Sequence, residues 1–92
     1  ALVGGAGDGF LPQAMASGAD VFITSDLRHH PTQDFMELSK LVSGPALIDV
    51  SHWAAEWLWL SSAAMQLTER HGDVEFVVSD LKTDPWDFSV MQ

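Results

Sequence analysis

His52 and Glu56 are the two residues whose types and spacing most favour chemistry at a metal ion. They stand four positions apart in a segment that predicts a helix, so their side chains share one face, about one turn apart. Imidazole nitrogen and carboxylate oxygen suit Zn, Mn, Fe or Ni. A hydrogen bond between the two side chains is the alternative interpretation, and two ligands alone hold a metal weakly.

Further polar residues follow the other predicted strands. Asp26 comes two positions after an apolar run and suits a ligand, a general base or a helix cap. The adjacent His29 and His30, on a predicted loop before Pro31, can address two ions, or one ion and a substrate; solvated loop histidines are the alternative. Asp49 ends a predicted strand, where it either orients the His52 imidazole or is structural.

The glycine-rich stretch at residues 4–9 resembles a phosphate-binding loop but lacks the residues that such loops need. With Gly5 and Gly7 in place, a dinucleotide fingerprint requires glycine where Phe10 stands, and no Gly-Lys-Ser/Thr follows. Asp8 would also repel an anion. A tight turn with positive φ accounts for these glycines without a ligand.

The order of the predicted elements indicates an α/β fold. Strands and helices alternate, which predicts a layered sandwich with a mainly parallel or mixed sheet. The continuous apolar runs at residues 21–24 and 46–50 are typical of strands buried on both faces. The other predicted elements are strands at residues 2–3 and 74–79 and helices at residues 10–17, 31–41 and 51–71.

This topology brings the polar residues together. In a parallel sheet, ligands bind at the carboxyl ends of the strands, and three consecutive strand ends here carry side chains that can bind metal. The third predicted helix also carries Trp53, Trp57 and Trp59, of which at most two can face inward. We therefore expect one exposed tryptophan on an association surface.

Composition narrows the class of protein. The 92 residues, 47% of them hydrophobic, suffice for one small domain spanning residues 1–92. Four Lys and Arg against thirteen Asp and Glu give a net charge of −9, which disfavours nucleic acid and lipid surfaces. Without cysteine, any metal must bind to His, Asp and Glu. Neither a membrane span nor a secretory leader is evident, so a cytoplasmic location is expected.

Four motifs of the chain form a recognisable series. They are residues 3–7 (VGGAG), 18–26 (GADVFITSD) with His29 and His30, 47–52 (LIDVSH) with Glu56, and 83–86 (TDPW). In this order they resemble the C-terminal half of the Nif-three-like family, whose members often carry the name type-two GTP cyclohydrolase I homologue. Ser25 and Ser51 stand where that family usually has glycine. Because the chain opens at Ala1 in a predicted strand, we expect a fragment of a larger two-lobed protein.

The resemblance implies that His52 and Glu56 are ligands of a centre with two divalent metal ions. The remaining ligands of that centre belong to the N-terminal lobe, which is absent from these 92 residues, and the family assembles as hexamers. His29 and His30 match a different histidine loop from the one that supplies those ligands. On this basis Asp26 and His30 are expected to support catalysis or transfer protons.

These observations lead to one functional hypothesis and two alternatives. The first is the metal-binding lobe of a dinuclear-metal hydrolase. The sequence does not specify its substrate, and nucleotide-like compounds are among the candidates. The second is a non-catalytic assembly or regulatory protein with structural metals, in which the tryptophan-bearing helix drives oligomerisation. The third is a flavodoxin-like domain that binds a nucleotide at the glycine turn without metal.

Overall fold

Three parallel strands form the sheet on which the candidate site is built. The computed structural model describes residues 1–88, 90 and 91. Its strands are β1 (Leu2–Ala6), β2 (Val21–Ser25) and β3 (Ala46–Val50). β2 lies in the centre and pairs in parallel with both neighbours. The predicted α/β class with a mainly parallel sheet is therefore confirmed.

Helices connect these strands and continue beyond them. A 3₁₀ turn (Asp8–Phe10) leads into α1 (Leu11–Ala16), and the later helices are α2 (His29–Val42), α3 (His52–Trp57) and α4 (Leu60–Arg70). Pro31 lies in the first turn of α2, where a missing N–H costs nothing. Among the described residues, every helix is too short or too polar to cross a lipid bilayer.

The hydrophobic core lies on one face of the sheet. Phe22 of β2 is buried against Leu11 and Ala14 of α1 and Phe35 of α2. The opposite face is only partly covered, since Ile48 in β3 is 46% exposed. The prediction that residues 46–50 are buried on both faces is therefore wrong. β3 is an edge strand, and the cluster that α1 and α2 form with Phe22 packs against its residue Leu47.

Two predicted elements near the C-terminus differ from the structure. The helix predicted over residues 51–71 is two helices, because a turn at Leu58 and Trp59 separates α3 from α4. The strand predicted at residues 74–79 does not form. Its residues Phe76 to Ser79 lie along α4 instead, and a strand requires a neighbouring strand to complete its hydrogen bonds. The radius of gyration is accordingly 17.0 Å, against about 12 Å for a compact domain of this length.

Gly7 allows β1 to approach the centre of the sheet. A Cβ atom at this position would lie 1.9 Å from Oγ1 of Thr24, whose side chain is buried and which donates a hydrogen bond to the carbonyl of Gly5. We expect Gly7→Ala to lower the free energy of unfolding by about 3 kcal/mol or more, as for strong overpacking of a core. Gly9→Ala is the matched control, since its Cβ would meet nothing within 4 Å. Equal urea midpoints for the two variants of the intact protein would contradict this expectation.

Candidate metal centre

The carboxyl ends of the three strands bring the predicted site residues to one edge of the sheet. β2 ends at Ser25, which pairs in register with Val50 at the end of β3. The residues just beyond these ends therefore meet, namely Asp26 after β2 and His52 after β3. This is the convergence that the alternating pattern of strands and helices predicted.

His52 and Glu56 share one face of α3. The Nε2 atom of His52 lies 2.9 Å from Oε1 of Glu56, and both side chains are partly exposed. Ser51 begins the helix as its N-cap, where its hydroxyl accepts a hydrogen bond from the N–H of Ala54 at 3.3 Å. The helix start thus fixes the imidazole and the carboxylate one turn apart, as the spacing predicted.

Asp26 holds the other side of the imidazole. Its Oδ2 accepts a hydrogen bond from Nδ1 of His52 at 2.5 Å. Asp26 has φ 53°, in the left-handed region that costs most residues about 1–2 kcal/mol but that Asp tolerates comparatively well. This conformation turns the chain so that the carboxylate faces His52. Backbone strain of this kind is typical of functional sites. Asp26 therefore orients the ring and fixes which nitrogen is left for a ligand.

The two carboxylates also set the protonation of the ring. The hydrogen bond that the ring donates to Asp26, and after it the hydrogen bond with Glu56, raises the pKa of the His52 imidazole above its ordinary value. The site therefore favours positive charge between Asp26 and Glu56. A metal cation can supply that charge in place of the Nε2 proton, because ligands give up a proton when they bind metal.

Gly5 is a site residue that the sequence analysis did not identify. Its Cα lies under the pair, since a Cβ built there would be 3.3 Å from Nε2 of His52 and 3.5 Å from Oε1 of Glu56. Its φ of +76° also favours glycine. Of the glycines at residues 4–9, only Gly5 has positive φ, and it lies within β1, so the predicted tight turn with positive φ is confirmed at this one position for φ and not for the turn. Without a side chain, Gly5 also places no Cβ beside these two atoms. The signal was present as a glycine at the carboxyl end of a strand.

Asp8 and Asp49 have structural partners at this edge of the sheet. Asp8 accepts hydrogen bonds from both the backbone and the side chain of Arg28, and the guanidinium hydrogen bond lowers the pKa of Asp8 below its ordinary value. Asp49 accepts a hydrogen bond from the backbone N–H of Leu27 at 3.3 Å. The role of orienting His52, one of the two predicted for Asp49, falls to Asp26.

His29 and His30 do not lie on a loop, so that prediction is wrong. They form the first turn of α2, with their ring centroids 5.2 Å apart. The helix begins two residues earlier than predicted because Pro31 fits the first turn as well as the first position. His30 makes none of the hydrogen bonds that link Asp26, His52 and Glu56. The structure therefore does not bring His30 together with the pair.

Ser25, directly before Asp26, has a fully buried hydroxyl with no hydrogen-bond partner among the described residues. Because an orphaned buried polar group costs about 1–3 kcal/mol, we expect Ser25→Ala to raise the free energy of unfolding by about 1 kcal/mol. Ser39→Ala is the matched control. Its buried hydroxyl donates to the carbonyl of Pro45 at 3.1 Å, so its loss lowers stability. Urea denaturation of the intact protein should move the two midpoints in opposite directions, and a shared direction would contradict the interpretation.

The residues present fit one side of a metal centre. An imidazole held at Nδ1 and a carboxylate oxygen 2.9 Å from Nε2 are a donor set suited to a divalent ion, and Gly5 places no side chain against them. Among residues 1–88, 90 and 91, no group of three His, Asp or Glu side chains has the geometry to enclose an ion. A complete site therefore needs ligands from outside the described residues.

Known proteins that resemble this chain are much longer than it. A protein named "GTP cyclohydrolase 1 type 2 homolog" from Streptomyces coelicolor is 44% identical over 90 residues, covering 94% of this chain and 30% of that protein. Its namesake from Mycobacterium tuberculosis is 40% identical, with 94% and 22% covered. The chain therefore spans less than a third of the length of these relatives.

Solved structures give the same result. The chain superposes on a Bacillus cereus protein related to NIF3 with a TM-score of 0.80 and 32% identity, covering 96% of this chain and 24% of the other. A Staphylococcus aureus protein gives a TM-score of 0.76 at 30% identity, with 96% and 28% covered. The sequence model described as Duf34/NIF3 (NGG1p interacting factor 3) matches residues 1–85. The chain belongs to the Duf34/NIF3 family.

Proposed function

We propose that this chain supplies His52 and Glu56 as metal ligands in a dinuclear, hydrolase-type centre, which a second lobe of the same protein completes. The observation that carries the proposal is the geometry of the pair: Nε2 and Oε1 lie 2.9 Å apart above Gly5, while Asp26 holds Nδ1. Relatives that are three to four times longer support the existence of such a lobe.

Two divalent ions in this centre would lower the pKa of a bound water and polarise a phosphoryl or ring carbon–nitrogen bond for hydrolysis. The chain's own residues bind the metal and orient the imidazole. Glu56 offers a carboxylate, His52 offers Nε2, and Asp26 is a positioning residue that fixes the ring through Nδ1. A proton-transfer role for His30 stays a prediction. Its ring packs edge-on against that of His29 in the first turn of α2.

A non-catalytic assembly protein with structural metals is the second candidate. Exposed apolar side chains at the turn between α3 and α4 favour it, since Leu58 is 74% and Trp59 62% exposed. An exposed tryptophan beside an exposed leucine is typical of an association surface. Assembly through this surface, the hexamer of the family included, is compatible with either function.

Metal content and turnover of the intact protein test the proposal. We expect Glu56→Ala to lose bound metal and, with it, hydrolysis of any substrate found in a panel of phosphoesters and nucleosides. Glu69→Gln, an exposed carboxylate on α4, serves as the control. Turnover that survives loss of the metal would contradict the proposal. Absent turnover in the parent, with assembly lost in a Trp59→Ala variant, would favour the second candidate.

A further inference from the structure

Asp84 is the half-buried residue of an otherwise exposed segment. Every other residue between 79 and 88 whose structure is described is exposed to solvent. Asp84 belongs to the motif at residues 83–86 (TDPW), to which the proposed function assigns no role. The chain therefore packs one carboxylate of this segment against the rest of the molecule, and the contacts of that carboxylate show what it does there.

The segment itself holds one oxygen of this carboxylate. Oδ1 of Asp84 accepts a hydrogen bond from the N–H of Trp86 at 3.2 Å. Aspartate commonly bonds the backbone two residues onward in this way, and the intervening Pro85 disfavours helical backbone at the residue before it. Nζ of Lys82 donates a further hydrogen bond to the Trp86 carbonyl at 3.2 Å. The turn thus fixes the carboxylate and leaves Oδ2 for a group elsewhere in the chain.

That group is the Ser51 hydroxyl at the start of α3. It donates a hydrogen bond to Oδ2 of Asp84 at 3.2 Å and accepts one from the N–H of Ala54 at 3.3 Å. A hydroxyl has one proton to donate, so directing it at the carboxylate leaves the lone pairs for the N–H. Hydrogen bonds in such a chain strengthen one another. Asp84 therefore orients the side chain that caps α3.

The position of His52 depends on this cap. α3 has only six residues, His52–Trp57, and a helix of this length is not stable by itself. His52 is its first residue, directly after the capping serine, and the N–H of Ala55 donates to the Ser51 carbonyl at 2.9 Å. Asp26, which holds the imidazole, lies on a different element. Displacing the cap therefore displaces the ring relative to its partner.

We infer that Asp84 is a positioning residue of the metal centre, because it holds the Ser51 hydroxyl in the orientation that caps α3 and so fixes His52. This inference rests on the proposed function, in which His52 is a metal ligand. In this role Asp84 acts through Ser51 rather than on the ion itself. Its effect on metal binding must therefore disappear when the Ser51 hydroxyl is removed.

Zinc affinities of four forms of the intact protein test the inference: the parent, Ser51→Ala, Asp84→Ala and the double variant. Competition with a chromogenic chelator measures them. We expect each single variant to bind zinc about tenfold more weakly, the lower end of the range for residues that orient a ligand. The double variant should match Ser51→Ala, since Asp84 then lacks the group through which it acts. Asp87→Ala, which removes an exposed carboxylate of the same segment, is the control and should bind zinc as the parent does.

Hydrogen exchange at the N–H of Ala54 provides a readout that does not depend on metal. We expect Asp84→Ala to accelerate it about two- to fivefold, the upper figure being the loss of a typical cap. In the Ser51→Ala background the same substitution should leave the exchange rate unchanged.

Two results would overturn the inference. One is an equal loss of zinc affinity from Asp84→Ala with and without the Ser51 hydroxyl, because a charge that acts directly on the ion needs no hydroxyl. The other is an unchanged exchange rate at Ala54 in Asp84→Ala. A parent that binds no zinc contradicts the proposed function, whereas unchanged exchange in a parent that does bind zinc contradicts only this inference.

Discussion

Substituting His52 by Ala in the intact protein should weaken binding of zinc or manganese by more than about 100-fold. Loss of a residue that merely orients a ligand costs about 10–100-fold in metal affinity, and loss of the ligand itself must cost more. His52 contributes the only nitrogen of the pair, at 2.9 Å from the Glu56 oxygen. Competition with a chromogenic chelator measures the affinity directly.

Asp26→Asn should weaken metal binding in the same assay, but by less than His52→Ala does. Asn keeps the size of the side chain but removes the charge that faces Nδ1 of His52. We expect a loss of affinity within about 10–100-fold, smaller than the loss for His52→Ala. His71→Ala is the control, because this histidine lies beyond the end of α4 and packs near Phe76. Affinities that rank in any other order would contradict the roles assigned to the two residues.

Gly5→Ala should lower metal affinity by about 10–100-fold without altering either ligand. The new Cβ would lie 3.3 Å from Nε2 of His52 and 3.5 Å from Oε1 of Glu56, and the first distance is shorter than nine in ten real Cβ contacts. It would displace both atoms or occupy the space beside them, and misplaced ligands lose affinity on this scale. The φ of +76° adds a stability cost of about 1–2 kcal/mol.

Gly18→Ala separates these two effects. Its φ of +74° imposes the same backbone strain, but a Cβ there meets nothing within 4 Å. Thermal unfolding should therefore show similar destabilisation for both variants, whereas chelator competition should show weaker metal binding for Gly5→Ala alone. Parent-like metal affinity in Gly5→Ala would mean that the ion does not lie between His52 and Glu56 above this glycine.

The helical spacing of His52 and Glu56 in the sequence was sufficient to predict that they share one face and where in the fold they lie. His52 and Glu56 depend on one helical turn after a capping serine, which the six residues 51–56 encode. The position of Asp26 follows from parallel strands that end in register, so the alternating pattern of strands and helices also predicts it. The contact of Asp26 with Nδ1, rather than with an ion, depends on its left-handed φ, which sequence does not indicate for an aspartate.

The errors arise where distant parts of the chain decide the outcome. Residues 74–79 have the composition of a strand, but pairing depends on a neighbour that the described residues do not provide. The turn at Leu58 and Trp59 contains neither Gly nor Pro and has no capping side chain, so nothing local marks it. Gly5 was recognised as a turn glycine, while its proximity to His52 joins residues 47 positions apart in the sequence.

If the two side chains are metal ligands, an ion binds between Nε2 of His52 and Oε1 of Glu56. A crystal structure of the intact protein grown with zinc, with anomalous data collected at the zinc edge, tests it most directly. We expect an anomalous peak about 2.0–2.2 Å from both atoms, with Asp26 still at Nδ1. A peak elsewhere, with His52 and Glu56 still hydrogen-bonded to each other, would contradict it.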